Sequence, residues 1–206
     1  MTVTTAQLKL LLNIAAPFTL AIGVLVLRKN SHKTRATPIL IRPATLEDIP
    51  AILAIYCPHA NDPRSIVTFE EKAPDLKEMI QRWQHVVSNN DPYLVATRSG
   101  VVVGFVYSHP FRSRAAYRFT TEISVYVKNN QQGSGVGSLL MEALIAQSKQ
   151  NNKKSLIAVL GSSELQSWYS TFGFRTVGVF RQVGYKAKCG WIDRTIMELV
   201  FESKHV

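Results

Sequence analysis

The sequence predicts an α/β domain in which helices cover both faces of a mixed, mostly antiparallel central sheet of about six to seven strands. Segments of two-residue alternation are interspersed with segments of helical periodicity along most of the chain. The 46% hydrophobic and 18% charged content of the 206 residues suits one packed domain. A glycine-rich loop separates a strand pattern from a helix pattern. The same interpretation adds an N-terminal hydrophobic helix outside this domain.

The first 38 residues are predicted to be a hydrophobic segment followed by a basic linker, and the domain to occupy residues 39–206. Residues 10–27 carry no charge, and as a helix they would span about 27 Å, close to the roughly 30 Å apolar thickness of a bilayer. Only Lys9 precedes this run, and four cations follow it by residue 35. The positive-inside rule then predicts a single-pass anchor with its N-terminus outside and a cytoplasmic domain. An amphipathic extension that does not span is the alternative.

The charge and cysteine content exclude several function classes. The net charge is +10, and half of it lies in residues 1–40. The domain is therefore only mildly basic and has no dense cationic stripe, which argues against nucleic-acid binding and favours an anionic small molecule. Cys57 and Cys189 fit neither a disulfide framework nor a zinc pattern. No metal site is predicted, since no ligand spacing is formed by His59, His85 and His109.

The first half of the domain is predicted to begin with a short apolar strand and a helix. Thr45 and Asp48 form a capping-box variant at the start of a helix over residues 46–56, which Pro58 is expected to end. A second helix is predicted over residues 73–87 from its apolar spacing.

The remaining elements follow in an order that requires a mixed sheet. Two apolar strands flank Ser99–Gly100 as a hairpin, and a long alternating strand covers residues 117–127. A helix then runs to about Gln150. The last predicted elements are a strand at 155–160, a short helix at 164–171 and two closing strands.

The glycine-rich loop is predicted to bind a phosphate. Gly133, Gly135 and Gly137 lie between the long strand and a helix, and the first-turn N–H groups of a helix have no partner within it. Glycine also lets a ligand approach the backbone closely. The spacing lacks the Gly-Lys-Ser/Thr of a Walker loop and the G-x-G-x-x-G of a dinucleotide fold.

The stretch "QQGSGVG" resembles the acyl-CoA signature Q/R-x-x-G-x-G/A of the GCN5-related N-acetyltransferases (GNAT). Four further stretches are similar to the phosphinothricin and methionine sulfoximine acetyltransferase branch: residues 41–56, 67–71, 109–127 and 180–186. The resemblance implies that the loop binds the pyrophosphate of acetyl-CoA and that the preceding strand binds its pantetheine arm. It also implies a homodimer. The implied cofactor residues are Val125, Tyr126, Val127, Gln132, Gly133, Ser134, Gly135, Val136, Gly137 and Ser138.

Glu122 is the candidate general base. It lies within an otherwise apolar and hydroxyl-bearing strand and shares a face with Ser124 and Tyr126. Partial burial of a carboxylate raises its pKa and suits it to accept a proton. A structural glutamate bonded to its neighbours is the alternative, and the resemblance places the family's proposed base at Glu122.

Tyr169 is the candidate acid for the leaving thiolate. It matches the first position of the family's Y/H-x-x-x-G-F ending, although a packed helix tyrosine is the alternative. The loop at 161–167 lacks the asparagine expected in this branch, for which Ser162 or Ser163 could substitute.

The resemblance suggests Arg112 and Arg114 for binding an acceptor carboxylate, because arginine binds carboxylates through two parallel hydrogen bonds. Phe69, Tyr117 and Trp191 are expected to form walls of the acceptor pocket. Solvated arginines and core aromatic residues are the alternatives.

We therefore predict an acetyl-CoA-dependent N-acetyltransferase that acts on a small amino-acid-like acceptor. Three alternatives remain at this point: a protein or peptide acceptor, a CoA-binding module without catalysis, and a basic membrane-associated adaptor.

Overall fold

The computed structural model of the protein describes residues 37–201. The predicted membrane segment at residues 10–27 and nearly all of the linker lie outside these described residues. Within residues 37–201, every helix is too short or too polar to cross a bilayer.

One seven-stranded sheet forms the centre of the described domain. Its spatial order is β1-β2-β3-β4-β5-β7-β6, and every neighbouring pair is antiparallel except β4 and β5. The predicted mixed, mostly antiparallel sheet is therefore confirmed. The strands are β1 (Ile39–Pro43), β2 (Tyr93–Arg98), β3 (Val101–Pro110), β4 (Thr120–Val127), β5 (Ser155–Leu160), β6 (Arg175–Lys186) and β7 (Gly190–Val200).

Four α-helices cover the two faces of this sheet: α1 (Ile49–Asn61), α2 (Leu76–Ser88), α3 (Val136–Gln150) and α4 (Gln166–Ser170). Helices α1 and α2 bury their apolar side chains against one face, in a core that includes Phe105 and Tyr126. Helices α3 and α4 pack against the other face, in a core that includes Val106 and Ile123. The predicted helices on both faces are confirmed.

Strands β4 and β5, the only parallel pair within the described sheet, are hydrogen-bonded at their first residues only and diverge after them. Residues 120–123 of β4 pair with residues 155–158 of β5, and the recorded pairing ends there. Strand β4 still pairs with β3 as far as Val127. The backbone N–H and C=O groups of the last four residues of β4 that face β5 are therefore not hydrogen-bonded to another strand. A cavity opens at this position.

Four predicted boundaries were wrong. Residues 46–48 form a 3-10 turn, and α1 continues through Pro58 to Asn61, because Ala60 is buried and the His59 ring packs 5.8 Å from that of Tyr126. Tertiary packing there outweighs the loss of one helical hydrogen bond at proline.

The other two errors lie at element starts. Helix α2 starts at Leu76 rather than residue 73, because the Asp75 side chain accepts a bond from the Glu78 N–H at 2.8 Å and caps the helix. Strand β4 begins at Thr120, since residues 115–117 form a 3-10 turn.

Candidate active site

The glycine loop has the backbone conformation that only glycine adopts without strain. Gly133 has φ of +71° and Gly135 has φ of +85°, and Gly135 is the N-cap of α3. Ser134 lies between them and donates its hydroxyl to the Gln131 carbonyl at 2.6 Å. The loop thereby directs the free N–H groups of the first α3 turn toward one side, where the helix dipole favours an anion.

A cavity of about 700 Å³ lies between this loop and the separated ends of β4 and β5; we call it the loop cavity. Its lining includes the end of α1, the last residues of β4 and β5, the loop and one side of α4. Of the ten cofactor residues predicted from the sequence, the structure brings eight together in this lining: Val125, Tyr126, Val127, Gln132, Gly133, Gly135, Gly137 and Ser138.

The other two predicted cofactor residues lie beside the loop cavity rather than in its lining. Ser134 is exposed. The Val136 side chain is buried in the core beneath α3, so its backbone N–H is the group near the loop. Both residues keep the loop in shape, Ser134 through its hydroxyl bond and Val136 through packing.

Trp168 of α4 closes one wall of the loop cavity, and sequence reasoning missed it. Its indole N–H donates to the Ser138 hydroxyl at 3.3 Å, which ties α4 to the start of α3. A Cβ on Gly137 would lie 3.4 Å from the indole ring, so this glycine permits the close packing. Ser162 also lines the cavity and caps the following turn by accepting the Glu164 N–H at 3.2 Å, whereas Ser163 is absent from the lining.

Tyr169 is buried and lines the loop cavity. Its ring packs edge-on against Trp168 at 5.0 Å and against Phe174 at 5.3 Å. Burial raises the pKa of the Tyr169 phenol. The phenol therefore stays neutral at physiological pH.

Glu122 is half-buried on the face of β4 that also carries Ser124 and Tyr126. Its neighbours Ile123 and Ser124 line the loop cavity, and its directly opposed residue on β3, His109, lines a second cavity. Burial raises the pKa of Tyr107, and the nearby Glu122 carboxylate acts in the same direction. Glu122 itself is in the lining of neither cavity; its neighbours along β4 line the first, and the residue opposite it lines the second.

The second cavity has a volume of about 690 Å³ and lies between α2, β3 and the segment that follows β3; we call it the arginine cavity. Arg112 and Arg114 both line it, and their predicted binding of an acceptor carboxylate stays a prediction. The three predicted wall residues line neither cavity: Phe69, Tyr117 and Trp191. Tyr117 packs edge-on against Phe111 at 5.9 Å.

The arginine cavity is cationic, because several of its positive side chains have no carboxylate partner. Arg82 is bound to Glu70 and Glu78 at 2.5 Å, and Lys153 is bound to the buried Asp91 at 2.6 Å. Among the described residues, no carboxylate lies within 4 Å of the three remaining lining arginines, Arg112, Arg114 and Arg118. An anionic ligand would find uncompensated positive charge here.

Two buried cations that the sequence did not reveal fix the segment between α1 and α2. Arg194 of β7 lies 3.8 Å from the Phe69 ring centre and donates to the Ile66 carbonyl at 2.6 Å. Lys186 of β6 donates to three carbonyls in the same segment: Asp62 at 3.4 Å, Ser65 at 2.8 Å and Thr68 at 3.2 Å. Phe69 therefore packs as part of this anchored segment.

Gly184 makes room for that packing. A Cβ at this position would lie 2.2 Å from the Phe69 ring.

Within the described residues, no group of three His, Cys, Asp or Glu side chains could hold a metal ion.

Comparison with known proteins places most of the described domain in one family. The profile described as "Acetyltransferase (GNAT) domain" matches residues 41–196. The chain is 39% identical over 155 residues to a phosphinothricin N-acetyltransferase from Alcaligenes faecalis, which covers 74% of this chain and 77% of that protein.

Two solved structures share the fold. A phosphinothricin acetyltransferase from Sinorhizobium meliloti, solved in complex with AcCoA, is 29% identical with a TM-score of 0.76, and the match covers 82% of this chain and 91% of that one. A ribosomal-protein-alanine N-acetyltransferase from Brucella melitensis is 34% identical with a TM-score of 0.74 and coverages of 79% and 99%.

Proposed function

The chain belongs to the GNAT acetyltransferase family, and from this premise we propose that it acetylates the amine of a small amino-acid-like acceptor with Glu122 as the general base. The enzyme is an acetyl-CoA-dependent N-acetyltransferase. The observation that carries the proposal is the position of Glu122 on β4, next to Ile123 and Ser124 of the loop cavity and opposite His109 of the cationic arginine cavity.

The loop cavity suits acetyl-CoA on two counts. The loop offers unpaired N–H groups at a helix start to a pyrophosphate, and the open edge of β4 offers backbone donors and acceptors to an amide-bearing arm. When bound there, acetyl-CoA supplies an activated acetyl thioester. The Tyr169 phenol in the lining of the cavity would then donate a hydrogen bond to the departing sulfur.

Glu122 has a defined chemical task in this arrangement. The acceptor arrives as an ammonium, and its nitrogen can attack only after one N–H bond breaks and the electron pair remains on nitrogen. A half-buried carboxylate is suited to take that proton directly or through one water molecule.

The arginine cavity supports an amino-acid-like acceptor. Arg112 and Arg114 present two guanidinium groups without carboxylate partners among the described residues, and each can bind one anionic group of the acceptor. Acceptors of the phosphinothricin type carry both a carboxylate and a second anionic group, whereas methionine sulfoximine carries the carboxylate alone. The Alcaligenes relative bears the former specificity in its name.

A protein acceptor is the second candidate, favoured by the name of the Brucella enzyme. A protein N-terminus would need an open groove leading to Glu122. No residue of the segment between α1 and α2 lines the arginine cavity, so the preference for the smaller acceptor rests on the guanidinium groups of Arg112 and Arg114.

The test is a thiol-release assay on the full chain with acetyl-CoA and a panel of amino acids, phosphinothricin, methionine sulfoximine, polyamines and short peptides. We expect turnover on an amino-acid analogue and a fall in kcat of about 10² to 10⁴ for Glu122→Gln, with acetyl-CoA affinity by calorimetry unchanged. The matched control is Glu142→Gln on the exposed face of α3, which should leave kcat unaltered.

Two other results would redirect the assignment. Turnover restricted to peptides would favour the protein acceptor. Acetyl-CoA binding without turnover on any amine would indicate a module that has lost catalysis.

We further propose that the enzyme is a homodimer through the β6–β7 surface. Strand β6 is an edge strand of the sheet, and large apolar side chains along this hairpin are exposed. An apolar edge of this kind invites pairing with another chain, and a second copy is the partner that family resemblance implies. The exposed residues are Val177, Val179, Phe180, Val183, Tyr185 and Trp191.

Membrane anchoring through residues 10–27, with the catalytic domain in the cytoplasm, stays a prediction from the charge asymmetry of the sequence. Fractionation of the full chain and of a form that begins at residue 39 would test it: only the full chain should be recovered with membranes.

A further inference from the structure

One histidine beside the proposed base has no role in the chemistry described so far. His109 lies near the end of β3, directly opposite Glu122 of β4. Directly opposed residues of an antiparallel pair place their side chains on the same face, with Cβ atoms about 5 Å apart. No ring nitrogen of His109 lies within 4 Å of a Glu122 carboxylate oxygen, so a proton would pass between the imidazole and the carboxylate through one bridging water.

The His109 ring has a defined tautomer in this structure. Its Nδ1 lies 3.2 Å from the Pro110 carbonyl oxygen, and a carbonyl oxygen only accepts hydrogen bonds. Nδ1 therefore carries the hydrogen, and Nε2 holds a lone pair that can accept a proton. The half-buried ring also lines the arginine cavity, which is open enough to connect it with solvent.

The titratable and charged groups that line the arginine cavity around His109 are Tyr56 of α1, Arg82 and His85 of α2, Asp91, Tyr93 of β2, Tyr107 of β3, Arg112, Arg114, Arg118 and Lys153. Glu122 of β4 lies opposite His109.

We propose that His109 is a positioning residue and proton relay for Glu122. In each cycle an acceptor N–H bond breaks and an O–H bond forms on Glu122. That O–H bond then breaks, an N–H bond forms at Nε2 of His109, and the imidazolium releases this proton to water at the cavity mouth. The carboxylate is thereby restored for the next acceptor. This inference rests on the proposed function, because it assigns a partner to the proposed base.

The experiment uses chemical rescue on the full chain. With the amine that the wild-type enzyme acetylates, we expect His109→Ala to lower kcat about 10-fold without changing acetyl-CoA affinity, and added imidazole to restore it as its neutral form increases with pH. Imidazole should not rescue Glu122→Gln and should not accelerate the wild type. Ser108→Ala is the control for disturbance of β3, since this side chain lies on the opposite face, and its kcat should match the wild type.

Each other outcome is decisive. An unchanged kcat for His109→Ala, or a lowered kcat that imidazole does not restore, would overturn the relay while leaving the proposed function intact. Absence of wild-type turnover on any amine would overturn both. If His109→Ala fails to fold, His109→Gln keeps a polar side chain of similar size, and its kcat should rise with the concentration of a basic buffer while that of the wild type does not.

Discussion

Each buried charged side chain of the described domain has a hydrogen-bond or ion-pair partner. Lys186 donates to three backbone carbonyls. The Asp48 carboxylate accepts two hydrogen bonds from the Arg42 guanidinium, at 2.6 and 2.8 Å, and one from the Thr45 N–H at 2.8 Å. Removing one partner of such a group leaves an unsatisfied charge or carbonyl, so these positions contribute more to stability than exposed ion pairs do.

Asp48 gives the stability of the domain a pH dependence that can be measured. The Arg42 guanidinium holds the pKa of this carboxyl below its usual range, helped by Thr45. The folded pKa is depressed, so the stabilisation is complete above the unfolded pKa of about 4 and is lost as pH falls through the folded pKa.

We expect Asp48→Asn to lower the free energy of unfolding by about 1–3 kcal/mol at pH 7, and by less below pH 4. Urea unfolding at both pH values checks this. Asp75→Asn is the control, because asparagine also caps a helix, and it should change little. An equal loss for Asp48→Asn at both pH values would contradict the assignment.

Residues with a local signal were predictable, and residues defined by distant contacts were not. The spacing of the loop glycines pointed to an anion cradle, and the alternation of β4 put Glu122 on one face with Ser124. Lys186 and Arg194 bind carbonyls more than one hundred residues earlier in the chain, and no local pattern records that. The roles assigned to Glu122 and Tyr169 stay predictions.

At the scale of elements, the start of α3 requires glycine because of its backbone conformation and not because a side chain would collide with neighbouring atoms. A Cβ on Gly135 would meet no atom within 4 Å, but the positive φ there costs a non-glycine residue about 1–2 kcal/mol. A side chain is therefore expected to move the loop out of its binding shape rather than to collide with the protein.

We expect Gly135→Ala to raise the dissociation constant for acetyl-CoA about 10-fold, which corresponds to about 1.4 kcal/mol, as measured by calorimetry. Gly100→Ala is the matched control: it carries the same kind of strain, with φ of +78°, in the β2–β3 turn away from both cavities. It should lower the thermal unfolding temperature and leave acetyl-CoA affinity intact. Equal affinities for the two variants would argue against the cradle.

Element order was predictable from periodicity, whereas several ends were not. The hairpin at Ser99–Gly100 and the helix ending at Gln150 are confirmed, because a turn residue and a strong apolar repeat mark them. The predicted end of α1 at Pro58 was wrong, because a proline shows in the local sequence, whereas the tertiary packing that buries Ala60 does not. Residues 117–119 were predicted to belong to β4 because an alternating pattern does not show where hydrogen bonding between strands begins.

At the scale of the whole molecule, the two edges of the sheet differ. Strand β1 forms one edge, and β6 with its exposed apolar side chains forms the other. A dimer through β6 would cover that surface in both copies at once, since a two-fold interface uses the same patch twice.

We expect Phe180→Glu to convert a dimer into a monomer, because it places a charge in the centre of this apolar surface and should weaken association at least 100-fold. Sedimentation velocity on the full chain in detergent measures the change. Val101→Glu substitutes an equally exposed residue outside the β6–β7 hairpin and should leave the dimer intact. A monomeric wild type would refute the proposed interface.

The short pairing between β4 and β5 has a consequence for how the enzyme holds together. Four residue pairs join a block of four strands to a block of three, and the open remainder is the place proposed for the pantetheine arm. A ligand there would complete the hydrogen bonding of the seam much as an added strand would. The number of hydrogen bonds that join the two blocks would then increase when acetyl-CoA binds and decrease when the product leaves. The concentration of acetyl-CoA would therefore determine the rigidity of the enzyme as well as its turnover.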